Sequence, residues 1–244
     1  MLLKLQPSQP KATCLMNSLF NGDNMTVIKR YDIECEMCHS TSIHRVLSST
    51  NSSGYSDLDT RPNGMARSVI FLLVMECPHC GYVGFHLKSE GDLPMDFLKS
   101  EEYRTCSGID FKSQTAQMFY RKYLISSQLD NLKIAMHDLL RCAWACDDKE
   151  DIYNAASIRK IAADVAKILI ERDDDERDDI ILIRADLLRR SGEFEKLIRE
   201  YEGISLYDEV KNKTLTFQIG KARKGDDLCY TYRDVIGGDE DFFG

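Results

Sequence analysis

Apolar and polar residues change period partway along the chain. Met25 to Glu34 (MTVIKRYDIE) alternates and is rich in β-branched residues, which predicts a strand. Thr41 to Leu47 (TSIHRVL) predicts a returning strand, with Cys35-Glu36-Met37-Cys38 at the turn between them. Ser68 to Glu76 (SVIFLLVME) is an apolar run of strand length. Its lack of alternation predicts a strand buried on both faces, leading into Cys77-Pro78-His79-Cys80. Tyr82 to Leu87 then reads as a fourth strand. Between the two halves of this pattern, residues 48–66 are polar and loop-like.

From about residue 95 the period becomes 3.6. A short helix is expected near Pro94–Tyr103. Asp110 is placed to cap a helix carrying Ala116, Tyr120, Tyr123 and Leu124. Asp130 is placed to cap the next, with stripes Ala135, Leu139, Cys142, Cys146 and Met136, Leu140, Trp144. Ile158, Ile161, Val165 and Leu169 mark a third long helix. Ile180, Ile183, Leu187 and Leu188 mark a fourth that ends at Ser191-Gly192. A fifth carries Phe194, Leu197 and Tyr201, and a sixth spans about Leu206–Ala222. Short polar breaks between them imply antiparallel neighbours. The stretch from Ala185 to Phe194 resembles the middle of a tetratricopeptide repeat: a small residue, an apolar pair, a glycine turn, an aromatic. Leu197 stands where that repeat takes a small residue, so the reading is a tetratricopeptide-like bundle without a regular period.

The expected fold class is α+β: a small zinc-ribbon-like β domain, then an all-α bundle of tetratricopeptide-like helical hairpins. The expected boundaries are an irregular lead-in over 1–24, the β domain over 25–94 with its inserted loop 48–66, the helical domain over 95–236, and an acidic tail over 237–244.

The doubled Cys-x-x-Cys is the most informative chemistry. Tetrahedral zinc takes four ligands and favours thiolate in structural sites. Two residues between cysteines let both sulfurs converge from one tight knuckle, so Cys35, Cys38, Cys77 and Cys80 are the expected metal ligands for one structural zinc ion. Gly81 suits the left-handed conformation that follows such a knuckle. Four thiols close the shell and leave no open position for substrate. A redox pair, iron, or reduced core cysteines are the competing readings, as is replacement of one cysteine by His39, His44 or His79. The chain holds nine cysteines, an odd number, which with the absence of a signal-like start fits a reducing, cytoplasmic setting.

The net charge is −8 over 244 residues, unevenly spread. Residues 1–94 carry −1 and residues 95–244 carry −7. Nucleic-acid binding needs clustered positive charge, so that partner is disfavoured, and no apolar run reaches the roughly 18 residues of a membrane span. Phosphate loops, nucleophile elbows and zinc-protease motifs are missing from the sequence, and no catalytic residue or organic cofactor is expected.

Asp57, Asp59, Arg61 and Arg67 form a candidate recognition loop inside the insertion, alternatively a set of local turn bonds and salt bridges. Cys142 and Cys146 read as core cysteines, and the run Asp173–Asp179 as a solvated turn at a helix start. Lys221-Ala222-Arg223-Lys224 complements the end of the sixth helix.

Taken together, Cys35-x-x-Cys38, Asp57-Leu58-Asp59-x-Arg61-Pro62, Met65-Ala66-Arg67-Ser68, Glu76-Cys77-Pro78-His79-Cys80-Gly81-Tyr82, Ala143–Asp148 and Leu187–Phe194 resemble a bacterial family of uncharacterised proteins. That resemblance, over about residues 30–232, implies zinc knuckles joined to a tetratricopeptide-like half and implies no reaction. The leading expectation is a non-enzymatic zinc-binding scaffold for a protein partner bearing a basic segment. The alternatives are a thiol redox enzyme or sensor using Cys77 and Cys80, and nucleic-acid binding through the ribbon.

Overall fold

A computed structural model describes residues 26–172 and 176–237. The expected lead-in, Asp173–Asp175 of the acidic run, and the tail beyond Gly237 lie outside the described residues. The fold is α+β: small β-hairpins at the start, then helices packed as hairpins.

Strands β1 (Val27–Glu34) and β2 (Thr41–Ser49) form an antiparallel hairpin, in register from Glu34↔Thr41 to Ile28↔Leu47. Strands β3 (Met75–Glu76) and β4 (Val83–Gly84) make a separate, very short hairpin. The long strand expected over Ser68–Glu76 is therefore a correction. Its first part is helical: α1 (Gly64–Ser68), capped by the Asn63 side chain, then a 3₁₀ turn at Ile70–Leu72. A continuous apolar run marks burial, and Ile70, Leu72, Val74 and Met75 are indeed buried, but a strand also needs a partner edge. Only Met75 and Glu76 find one.

The fourth strand is likewise cut to two residues. At Gly84 an added Cβ would clash with the His86 carbonyl oxygen, so the backbone comes together there as only glycine permits.

In the helical half, α2 (Glu101–Arg104) is short: Ser100, extended at ψ 150°, caps its start and separates it from the turn at Phe97–Lys99, and the left-handed Cys106 and Ser107 follow its end. The long helices are α3 (Gln114–Gln128), α4 (Leu132–Asp147), α5 (Ile152–Glu171), α6 (Arg177–Arg190), α7 (Phe194–Tyr201) and α8 (Glu209–Ala222), followed by α9 (Tyr232–Ile236). Two caps differ from expectation. Ser113, not Asp110, accepts from the Ala116 N–H, and Asn131, not Asp130, accepts from Ile134. Both sit at the position whose side chain reaches the N3 amide; Asp130 instead takes φ 53° to turn the chain. Helix α6 closes at Gly192 (φ 79°), with the Glu193 N–H donating to the Leu188 carbonyl.

One apolar cluster runs from Cys35 through the helices to Ala222. Among the described residues no helix is long and apolar enough to cross a membrane.

Candidate metal centre

Each Cys-x-x-Cys is built by the same backbone device. In the first, the His39 N–H donates to the Cys35 carbonyl at 2.7 Å and the Cys35 N–H to Ser40 O at 3.0 Å. In the second, the Gly81 N–H donates to the Cys77 carbonyl at 2.9 Å and the Cys77 N–H to Tyr82 O at 2.8 Å. Both require a left-handed residue after the second cysteine, at φ 57° for His39 and φ 78° for Gly81. The knuckles thus point their sulfurs inward on matched frames.

The four sulfurs meet, all lying within 4.8 Å of one another. Cys35 and Cys80 Sγ are 3.7 Å apart, as are Cys38 and Cys77. A tetrahedron with zinc–sulfur bonds of about 2.3 Å has edges of about 3.8 Å. The spacing of this group therefore fits a single zinc-sized ion, and the residues are able to hold one. Cys35 and Cys77 are buried, Cys38 and Cys80 partly so.

Burial pushes the Cys35 thiol up, although backbone donors oppose it. Burial also acts against ionisation of Cys38, but Ser40, through its backbone and side chain, and the neighbouring thiols outweigh it and bring Cys38 down to about 6. Cys80 is held well up, chiefly by burial. A bound cation would draw all four to thiolates and release protons as it does so.

No histidine joins the group. His39 lies at 3.5 Å from Glu34 with its side chain 80 % exposed. His44 pairs with Ser42 at 2.8 Å. Cys142, expected as a core residue, is fully buried and donates to Ala116 O.

The residues of the insertion turn inward. Asp57, Asp59 and Arg61 are at most 4 % exposed, and the Arg67 side chain is 34 % exposed. They enter a seam of ion pairs against the helices. Asp59 Oδ2 accepts from Trp144 Nε1 at 2.8 Å and from Arg190 Nη1 at 2.9 Å. Arg190 also reaches Asp147, which Arg159 grips with two bonds. Arg61 forks onto both oxygens of Asp148 at 2.6 and 2.7 Å. Arg67 holds Asp57 at 2.7 Å, and Cys229 Sγ lies 3.1 Å from the same oxygen. Burial alone would raise the Asp147 carboxyl, but Arg159 and Arg190 more than offset it and hold it below the usual range. Cys229 is exposed, yet its thiol is pushed up to about 12 by local desolvation and by the nearby Asp57 and Asp59 carboxylates, against the pull of Arg190.

The same seam ties down the segment 226–232. Leu58 N–H donates to Tyr230 O and Tyr232 N–H to Ser56 O, while Arg189 donates to the carbonyls of Asp226 and Leu228. Sequence reasoning placed Asp57–Arg67 as a loop but did not assign partners to it. Apart from the Asp57–Arg67 pair within the loop, those partners lie 83 to 172 positions later; the local sign of them is the paired charges Asp147-Asp148 and Arg189-Arg190 at two helix ends.

The chain matches no family model, no curated protein and no solved structure.

Proposed function

We propose that this protein is a non-enzymatic scaffold in which one structural zinc ion fixes the β-hairpins and the helical hairpins present a surface to a protein partner. The observation that carries it is the closed set of four cysteine sulfurs, which leaves no ligand position for a substrate. The family resemblance and the tetratricopeptide-like character belong to this reading. Their support is the α6–α7 hairpin, turned at Gly192 where the repeat has its glycine. The acidic balance of residues 95–244 favours a partner with a basic segment.

The test is metal and thiol analysis of protein purified without added metal. The expected result is one zinc per chain, with four thiols reacting only after chelation. Metal-free protein whose Cys77 and Cys80 react at once would replace this reading with thiol redox chemistry.

A further inference from the structure

The two knuckles are fastened to the rest of the molecule very unequally. The second is keyed into the helical half by bonds that involve no cysteine. Tyr103 Oη donates to the Gly81 carbonyl at 2.7 Å. Arg121 grips Glu76 at 2.6 and 2.9 Å. Lys122, fully buried on α3, reaches Glu90 at 2.7 Å and lies 5.2 Å from the centre of the Phe85 ring. Tyr82 and Val83 are wholly buried in the common core.

The first knuckle sits at the tip of the β1–β2 hairpin. Beyond Cys35, that hairpin contributes only partly buried side chains to the core, Ile33, Met37, Cys38 and Val46. Its polar ties to the second knuckle's exit segment are Glu36 N–H to Leu87 O and Ser89 N–H to the Glu36 carboxylate, the latter exposed. An open cleft of about 610 Å³ lies along this joint, with Ile33, Glu34 and Glu36 on one wall and His86, Leu87 and Lys88 on the other. Ile43 on the outer face is 71 % exposed. A two-stranded hairpin on its own is at best marginally stable in water.

We propose that the metal is a latch: it holds the β1–β2 hairpin, a dependent arm, onto a body that already contains the second knuckle. Loss of the ion frees the arm, while β3, β4 and the helices keep their structure. The device converts metal occupancy into exposure of one hairpin face, without unfolding the molecule. It rests on the metal reading above and adds an order of release that a merely structural zinc would not have.

Hydrogen exchange of the full chain, zinc-loaded and after chelation, tests it, with zinc content measured on both samples. In the chelated protein, amides of 27–34 and 41–49 are expected to lose protection by at least about tenfold, and those of 75–84 and 114–190 to change far less. Cys35→Ser with Cys38→Ser should give the same pattern with zinc present in the buffer. Adding Tyr103→Phe and Glu76→Gln should let 75–84 exchange with the arm once the metal is gone. Zinc-loaded protein in which both hairpins lose protection together on chelation, or in which the arm stays protected, overturns the latch and leaves the metal site standing. Protein that never holds zinc removes both.

Discussion

At the scale of single residues, the two knuckles invite a direct comparison. Both need a left-handed residue after the second cysteine, and one position is filled by glycine, the other by histidine. Nothing lies within 4 Å of a Cβ built on Gly81, so Gly81→Ala meets only backbone strain, about 1 kcal/mol. His39→Gly relieves the same strain and is expected to stabilise by a similar amount, less the added freedom of the unfolded chain. Denaturant melts of the zinc-loaded variants measure both signs. The seam offers a second residue-scale test. Arg190 compensates Asp59, which is fully buried, so Arg190→Met should cost about 3 kcal/mol because it strands a buried charge. Asp59→Asn keeps an acceptor for Trp144 and should cost less. In the double variant the two losses should fall short of additivity, and a double-mutant cycle reads that shortfall.

At the scale of elements, helices α3 and α4 meet across a buried polar contact. Asp138 on α4 accepts from Ser126 at 2.8 Å and lies 3.5 Å from the Lys122 ammonium, with Arg141 at the same distance on its other oxygen. Burial raises its carboxyl to about 6, against the pull of Lys122, Ser126 and Arg141 and with a small push from Glu90. A folded-state value above the unfolded one means the folded protein holds this proton more tightly. The resulting stability is complete below about pH 4 and is lost as pH rises through about 6. Relative to Asp138→Asn, the wild-type protein should therefore lose stability between those values. Urea midpoints of the two proteins across that range check the sign; parallel curves would count against it. Asp147 acts in the opposite direction, since its lowered carboxyl gives stability that disappears as pH falls. The long helices were legible because their apolar stripes recur over several turns. The short pieces were not: the Ser68–Glu76 run showed burial but carried no sign of whether a neighbouring edge existed to pair with it.

At the scale of the whole molecule, the expected division into a β domain and a helical domain meets a single apolar cluster from Cys35 to Ala222 and a seam of ion pairs binding the insertion to the ends of α4 and α6. The zinc-loaded protein should consequently unfold in one cooperative transition, with fluorescence of Trp144 and far-UV circular dichroism giving coincident curves. Two separated transitions would show halves that fold independently.

The sequence by itself determined which four cysteines form a group able to hold a metal ion, the α+β order of elements and the long helices. These are local properties: a two-residue spacing bends one knuckle, and a 3.6 period writes one helix face. It did not determine which way the insertion faces. Asp57, Asp59, Arg61 and Arg67 read either as a recognition loop or, more readily, as local turn bonds and salt bridges that fix the insertion. Only the tertiary structure decided, because Asp148 and Arg190, the counter-charges of Arg61 and Asp59, come from helix ends distant in the chain. A buried charge is tolerable only where such a partner arrives in space. The unequal anchoring of the two knuckles was decided in the same way. The two Cys-x-x-Cys motifs look equivalent in sequence, and Tyr103, Arg121 and Lys122 select one of them by meeting Gly81, Glu76 and Glu90 across the fold.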